Sequence, residues 1–203
     1  MELPLNIRLV TEADYAGMLE VYKPNVLNTA ITFEYEVPSL EEYSKRIDNI
    51  ISHYPCFVCV QNGVIAGFAY AGLFRVKDAY QWSAESTIYV SENFQGKGIA
   101  RVLYDVLLST LELQGFVNVY AAVTLPNLPS EKLHTFMGFA EIGLFEKIGF
   151  KHGKWHDLKW YEMYLTEHPK NPTPPVSIYE VKETVGFLDI LTRANESLNR
   201  ASE

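Results

Sequence analysis

Residues 84–108 read AESTIYVSENFQGKGIARVLYDVLL and bring two chemically capable features together. Glu85 heads a short apolar run with strand character, and a carboxylate there is a candidate for proton transfer, although most glutamates only solvate a surface. Ten residues on, Gln95-Gly96-Lys97-Gly98-Ile99-Ala100 forms a glycine-flanked basic turn that opens a helix. Glycines let a backbone approach a ligand, and the free amides at a helix N-terminus favour anions. Lys97 adds a positive charge to the same turn.

Three anion-binding patterns compete for this turn. A nucleotide P-loop needs G-x-x-x-x-G-K-[ST], which is absent. A dinucleotide fold needs G-x-G-x-x-G, and Gly96-Lys97-Gly98 is only a fragment of it. The pattern Q/R-x-x-G-x-G/A, between a strand and a long helix, fits Gln95, Gly98 and Ala100 and suits the pyrophosphate of coenzyme A. A bland turn remains the alternative reading. Upstream, Arg75 and Lys77 place two cations two residues apart in an acidic chain, next to Tyr80. Such a pair suits a carboxylate, phosphinate or sulfone oxygen, and arginine can bind it bidentately. From the residues alone, a solvated basic hairpin end is the favoured reading of them.

The elements that must position these residues follow from periodicity. Ile7 to Thr11 reads as a strand, followed by a helix with Tyr15, Met18, Leu19 and Tyr22 on one face and Thr11 as a possible N-cap. A second amphipathic helix carries Leu40, Tyr43, Ile47 and Ile50 or Ile51. The segment NTAITFEYEVP between them is a connection that a ligand could use. CFVCVQNGVIAGFAYAGLF reads as two strands about an Asn62-Gly63 hairpin turn. Cys56 and Cys59 form a C-x-x-C, but in a strand they point to opposite faces, and no clustered histidines or second pair accompany them, so they read as buried thiols and no metal site is expected. The helix from about Gly98 to Gln114 ends at Gly115. VNVYAAVT is a buried strand, LPNLPSEKLHTFMGF a short helix stopped by Gly138, and EIGLF to WYEMYL strands and turns.

After Leu165 a proline-rich stretch leads to one more amphipathic helix, using Val185, Phe187, Leu188, Ile190, Leu191 and Leu198, whose apolar face needs the core or another chain. The predicted organisation is a domain over 1–167 and a linker with a C-terminal helix over 168–203. Element order predicts an α+β class with a mixed, mostly antiparallel sheet flanked by helices.

With 203 residues, 48% hydrophobic and 21% charged, the chain has the composition of an ordinary globular domain. A net charge of -8 repels a phosphate backbone and argues against nucleic acid as a partner. No apolar run reaches the roughly 18 residues of a membrane span, and the first residues lack the basic and apolar regions of a secretion signal, so no membrane partner and a cytoplasmic location are expected.

The passage around QGKGIA resembles the cofactor-binding motif of the GNAT N-acetyltransferases. AYQWSAESTIYVS, LELQGF, LPNLPSEKLH and GFKHGKWHD, in this order, resemble the branch that acetylates phosphinothricin, methionine sulfoximine and methionine sulfone. The resemblance runs from about Ile7 to Leu165. It implies a sheet splayed between two central strands, with acetyl-CoA as co-substrate in the cleft and no metal. The backbone of Ile88, Tyr89 and Val90 would meet the pantetheine and thioester. The amides of Gln95, Gly96, Lys97, Gly98, Ile99 and Ala100 would hold the pyrophosphate, with Asn127 and Ser130 contacting the cofactor further along. Ala100 stands where glycine is commoner.

An ammonium has no lone pair, so acetylating an amine requires a base. The resemblance implies Glu85 for that role, with His134 orienting substrate, relaying a proton or contacting coenzyme A. Phe33, Arg75, Lys77, Tyr80 and Tyr89 would line the acceptor site. His152 and His156 fit packing or turn roles. A homodimer is implied, as is direct transfer in a ternary complex to the α-amino group of a small amino acid or analogue. A peptide amine as acceptor, or an acyl-CoA sensor without chemistry, are the alternatives.

Overall fold

The computed structural model describes residues 4–200. Seven strands form one sheet in the order β1-β2-β3-β4-β5-β7-β6. Their ranges are Asn6–Leu9 (β1), Cys56–Gln61 (β2), Val64–Leu73 (β3), Ser83–Val90 (β4), Asn118–Thr124 (β5), Ala140–Lys151 (β6) and Lys154–Tyr164 (β7). Every pairing is antiparallel except β4 with β5. A parallel pair needs a crossover, and the helix Ile99–Gln114 (α3) supplies it. The mixed sheet expected from the element order is present.

Helices cover both faces. Tyr15–Asn28 (α1) and Leu40–Ile51 (α2) lie on one, with Tyr15, Met18, Leu19, Tyr22, Tyr43 and Ile47 packed on Val58 and Phe68. α3 lies on the other, burying Ile99, Leu103, Leu107 and Leu111 against Phe57, Ala69 and Val119. Ser39 caps α2 in a reciprocal box with Glu42. Leu40, placed on that helix's apolar face by its spacing, is instead 47% exposed, because it lies in the first turn, beyond the sheet contact. Asn62 and Gly63 both have positive φ, the hairpin geometry their pairing predicts. Cys56 belongs to the α1 side and Cys59 to the α3 side, both reduced and buried. Burial pushes both thiols up, Cys59 to about 12, so neither is a ready nucleophile.

The short helix Leu128–Phe136 (α4) follows β5. After β7 the chain runs without regular structure to a single turn at Ile178–Val181 (α5) and then to Val185–Arg200 (α6). The partner of α6 is the core itself: Phe187, Ala194 and Leu198 are buried with the α3 side. Val185 and Leu188 depart from the expected apolar face and are 75% and 52% exposed. Asn195 accepts a hydrogen bond from the Ile7 amide at 2.6 Å and donates to the Ile7 carbonyl at 3.0 Å. Its side chain thereby closes the free edge of β1. The helix was expected to run on to Glu203, and residues 201–203 lie outside the described ones.

Candidate active site

Parallel strands β4 and β5 stay paired only from Ser83 to Glu85 opposite Asn118 to Tyr120. Beyond that they part, and the gap opens into a cleft of about 1140 Å³ lined by Ser86–Val90 on one side and Ala121–Thr124 on the other. That volume exceeds the usual small-ligand pocket and leaves room for two substrates together. The backbone groups of β4 in this stretch have no strand partner on the β5 side, so they are free to bond a ligand.

Strand alternation sorts the side chains of β4 onto the two faces. Ile88 and Val90 pack on the α3 side, while Tyr89 packs on the α1 side. Glu85 shares the parity of Tyr89, and Ser86 that of Ile88. On the α1 face, burial pushes the Glu85 carboxyl above its ordinary range, and the positive charge of Arg75 partly offsets the rise. Tyr89 stands edge-on to Tyr22, with ring centroids 5.1 Å apart. Phe33, from the connection between α1 and α2, lines the same cleft.

The α3 face carries a buried polar chain. The Ser86 hydroxyl lies 3.4 Å from the Tyr104 hydroxyl, which lies 2.8 Å from His134 Nε2. His134 Nδ1 is 2.8 Å from the Ser130 carbonyl. A carbonyl only accepts, so Nδ1 holds the hydrogen and Nε2 accepts from Tyr104. Burial lowers the His134 pKa, which keeps the ring neutral, and raises that of Tyr104, which keeps the phenol protonated. Stacking on Tyr161 at 5.2 Å fixes the imidazole plane. Tyr104 is the functional candidate that the sequence conceals. Within an apolar helix it reads as one more core residue, and only its buried hydroxyl marks it out.

The turn ahead of α3 forms the cleft's mouth. Gly96 and Gly98 both hold φ +76, a conformation that side chains disfavour, and a Cβ on either would meet nothing within 4 Å. The space above them is therefore open to a ligand. Gln95, Gly96, Gly98, Ile99 and Ala100 line the cleft, as do Asn127, Ser130 and His134. Asn127 also caps α4 by accepting from the Ser130 amide at 3.3 Å. Lys97 does not line it: its ammonium lies 4.9 Å from the Phe94 ring centroid. Arg101 and Lys132 border the mouth instead.

Arg75, Lys77 and Tyr80 are exposed and lie outside the cleft lining. Arg75 sits over the Phe74 ring at 4.4 Å and near Trp160 at 5.7 Å, close enough to bias Glu85. His156 is buried between the Leu125 and Lys151 carbonyls, and His152 reaches the Thr29 carbonyl. Both are structural, in keeping with their motif.

A cleft between splayed strands, with a left-handed glycine turn at a helix N-terminus, is matched by a family model. Residues 7–160 fit the acetyltransferase (GNAT) domain. The chain belongs to the GNAT family. It is an N-acetyltransferase by that membership. Among GNAT relatives, phosphinothricin N-acetyltransferase from Streptomyces viridochromogenes is 36% identical over 86% of this chain and 96% of its own length. L-methionine sulfoximine/L-methionine sulfone acetyltransferase from Salmonella typhimurium is 30% identical over 81% of this chain and 96% of its own. The crystal structure of a GNAT phosphinothricin acetyltransferase from Sinorhizobium meliloti, in complex with AcCoA, superposes with a TM-score of 0.81 at 33% identity, covering 86% of this chain and 96% of that one.

Proposed function

We propose that this enzyme transfers the acetyl group of acetyl-CoA to the α-amino group of a small amino acid or analogue of the phosphinothricin, methionine sulfoximine or methionine sulfone type, with both substrates bound together. The observation that carries the reading is the sorting of Glu85 and the Gln95–Ala100 turn onto opposite sides of one gap. The cofactor approaches from the α3 face and the acceptor from the α1 face, and they meet where β4 and β5 part.

The residues present suit acetyl-CoA. The open glycine turn and the α3 amides take its pyrophosphate, with Arg101 and Lys132 adding charge at the mouth, and the unpaired β4 backbone at Ile88 to Val90 takes the pantetheine and thioester. The thioester supplies an already activated acyl group, so no enzyme nucleophile is required. Glu85, raised by burial, accepts a proton from the acceptor ammonium and frees its lone pair. A backbone amide of β4 near Val90 stabilises the negative charge that develops on the carbonyl oxygen. Tyr104, kept protonated, turns its hydroxyl hydrogen from His134 Nε2 toward the departing sulfur on the α3 face. Arg75 and Lys77, with Tyr80, attract the anionic end of the acceptor from the rim.

A homodimer is part of this reading. β6 is the edge of the sheet, and Ile142, Leu144, Phe145, Ile148 and Phe150 on it are all more than 40% exposed. An apolar edge strand of this length calls for cover, and a second copy of the chain provides it.

Replacing Glu85 tests the mechanism. Glu85→Gln is expected to lower kcat about 10²-fold or more while acetyl-CoA binding, followed by calorimetry, stays within about twofold of the parent. Unchanged turnover at all pH values would remove Glu85 from the base role.

A further inference from the structure

The connection between α1 and α2 has no regular structure where it passes the cleft, yet it is tied down along its length. The Lys151 ammonium, fully buried, donates to the Val26 carbonyl at 2.7 Å and the Thr32 carbonyl at 2.8 Å. The Thr32 hydroxyl meets Tyr22 at 2.8 Å, and Glu34 is held by Tyr22 at 2.9 Å and by Arg46 at 2.6 Å. Phe33 stands between these tethers and faces the cleft. Its ring lies against the α-carbon of Gly149: a Cβ there would be 2.6 Å from Phe33 Cε1 and closer still to Cε2 and Cζ. No left-handed φ accounts for glycine at 149, and the first atoms a side chain there would meet are those of the aromatic ring.

We infer that Gly149 is a positioning residue for acceptor selection. It seats Phe33 and thereby sets how far the acceptor side chain reaches along the α1 face. This rests on the acetyl-transfer reading and adds to it a residue on β6 that lies outside the cleft lining. The logic is steric. Tethers on both sides keep the backbone at 32–34 in place, and β6 closes the space behind the ring. A methyl group at 149 can relieve its clash only by driving the ring toward the open cleft. The acceptor end then shortens. Removing the ring instead lengthens it.

Three variants test this: Gly149→Ala, Phe33→Ala and both together. Steady-state kinetics would compare L-alanine, a short acceptor, with methionine sulfone, a long one, alongside thermal unfolding and acetyl-CoA affinity. Gly149→Ala is expected to lower the methionine sulfone to alanine ratio of kcat/KM about tenfold, chiefly through acceptor KM. Phe33→Ala should move that ratio the other way. The double variant should match Phe33→Ala, because the ring that makes the closest contacts is gone. Likewise Gly149→Ala should lower Tm by about 2–10 °C with Phe33 present and by a small fraction of that without it. A glycine needed only by the β6 strand would give additive losses and an unmoved ratio, and that result overturns the inference while leaving the acetyl-transfer reading intact. Absence of turnover by the parent enzyme with every amine tried would sink the acetyl-transfer reading, and acceptor selection with it.

Discussion

Glu85 and Tyr104 sit on opposite faces of the same gap, and burial acts on both in ways that can be measured. The Glu85 carboxyl is pushed above the ordinary glutamate value of 4.5, so its ionisation costs folding free energy. Stability present while the group is protonated is lost as pH rises through the raised pKa. Glu85→Gln, which carries no charge, should therefore have a higher Tm than the parent at neutral pH, and the gap should close near pH 4. Thermal unfolding at the two pH values reads this, and a lower Tm for the variant at neutral pH would contradict it. Activity has the opposite dependence: kcat/KM falls with acid as the base is protonated, on a limb placed above the ordinary carboxylate range. Tyr104 donates its hydroxyl hydrogen to a neutral imidazole. Tyr104→Phe should lower kcat about tenfold and leave acceptor KM nearly unchanged, whereas a larger change in KM than in kcat would assign the hydroxyl to binding. Glu85 and His134 stood out as candidates from their motifs. Tyr104 was not, since one aromatic among Val102, Leu103, Val106 and Leu107 looks like core until its hydroxyl is seen bonded on both sides.

At the scale of elements, periodicity located nearly every strand and helix, because alternation and three-to-four spacing report burial directly. What it could not report is which side of an element meets another. The C-terminal helix shows the limit. Val185 and Leu188 carry the apolar pattern but face solvent, and beside the buried Phe187, Ala194 and Leu198 the helix is also held by polar Asn195, with Asn199 donating to Leu5. An amide side chain that pairs with a strand edge has no sequence period. Asn195→Ala should cost about 1–3 kcal/mol, seen as a Tm lower by roughly 2–10 °C. Deleting residues 168–203 should do more, uncovering both the α3 side and the β1 edge, and light scattering should show association. A truncated chain as stable and dispersed as the parent would deny α6 this role. The rim pair illustrates a second limit: Arg75 and Lys77 were identified by charge spacing, but spacing does not tell whether such side chains enter a cleft or stand at its edge.

Across the whole molecule, one departure from regular pairing organises the rest. β4 and β5 stop pairing after Glu85 and Tyr120, so the sheet that holds the core together also opens into the cleft. The exposed apolar edge of β6 belongs to the same scale. Ile148→Glu, placing a charge in the middle of that edge, should convert a dimer to a monomer in sedimentation equilibrium, and a parent that is monomeric at every concentration would refute the assembly.

The central claim is acetyl transfer to a small amino acid amine, and it is tested most directly by thiol release from acetyl-CoA. The panel is phosphinothricin, methionine sulfoximine, methionine sulfone, the common amino acids and a lysine-rich peptide. The account predicts rapid, saturable release with the sulfur and phosphorus analogues, weaker release with smaller amino acids and background release with the peptide. Release with the peptide alone, or with none of them while acetyl-CoA still binds, would contradict it.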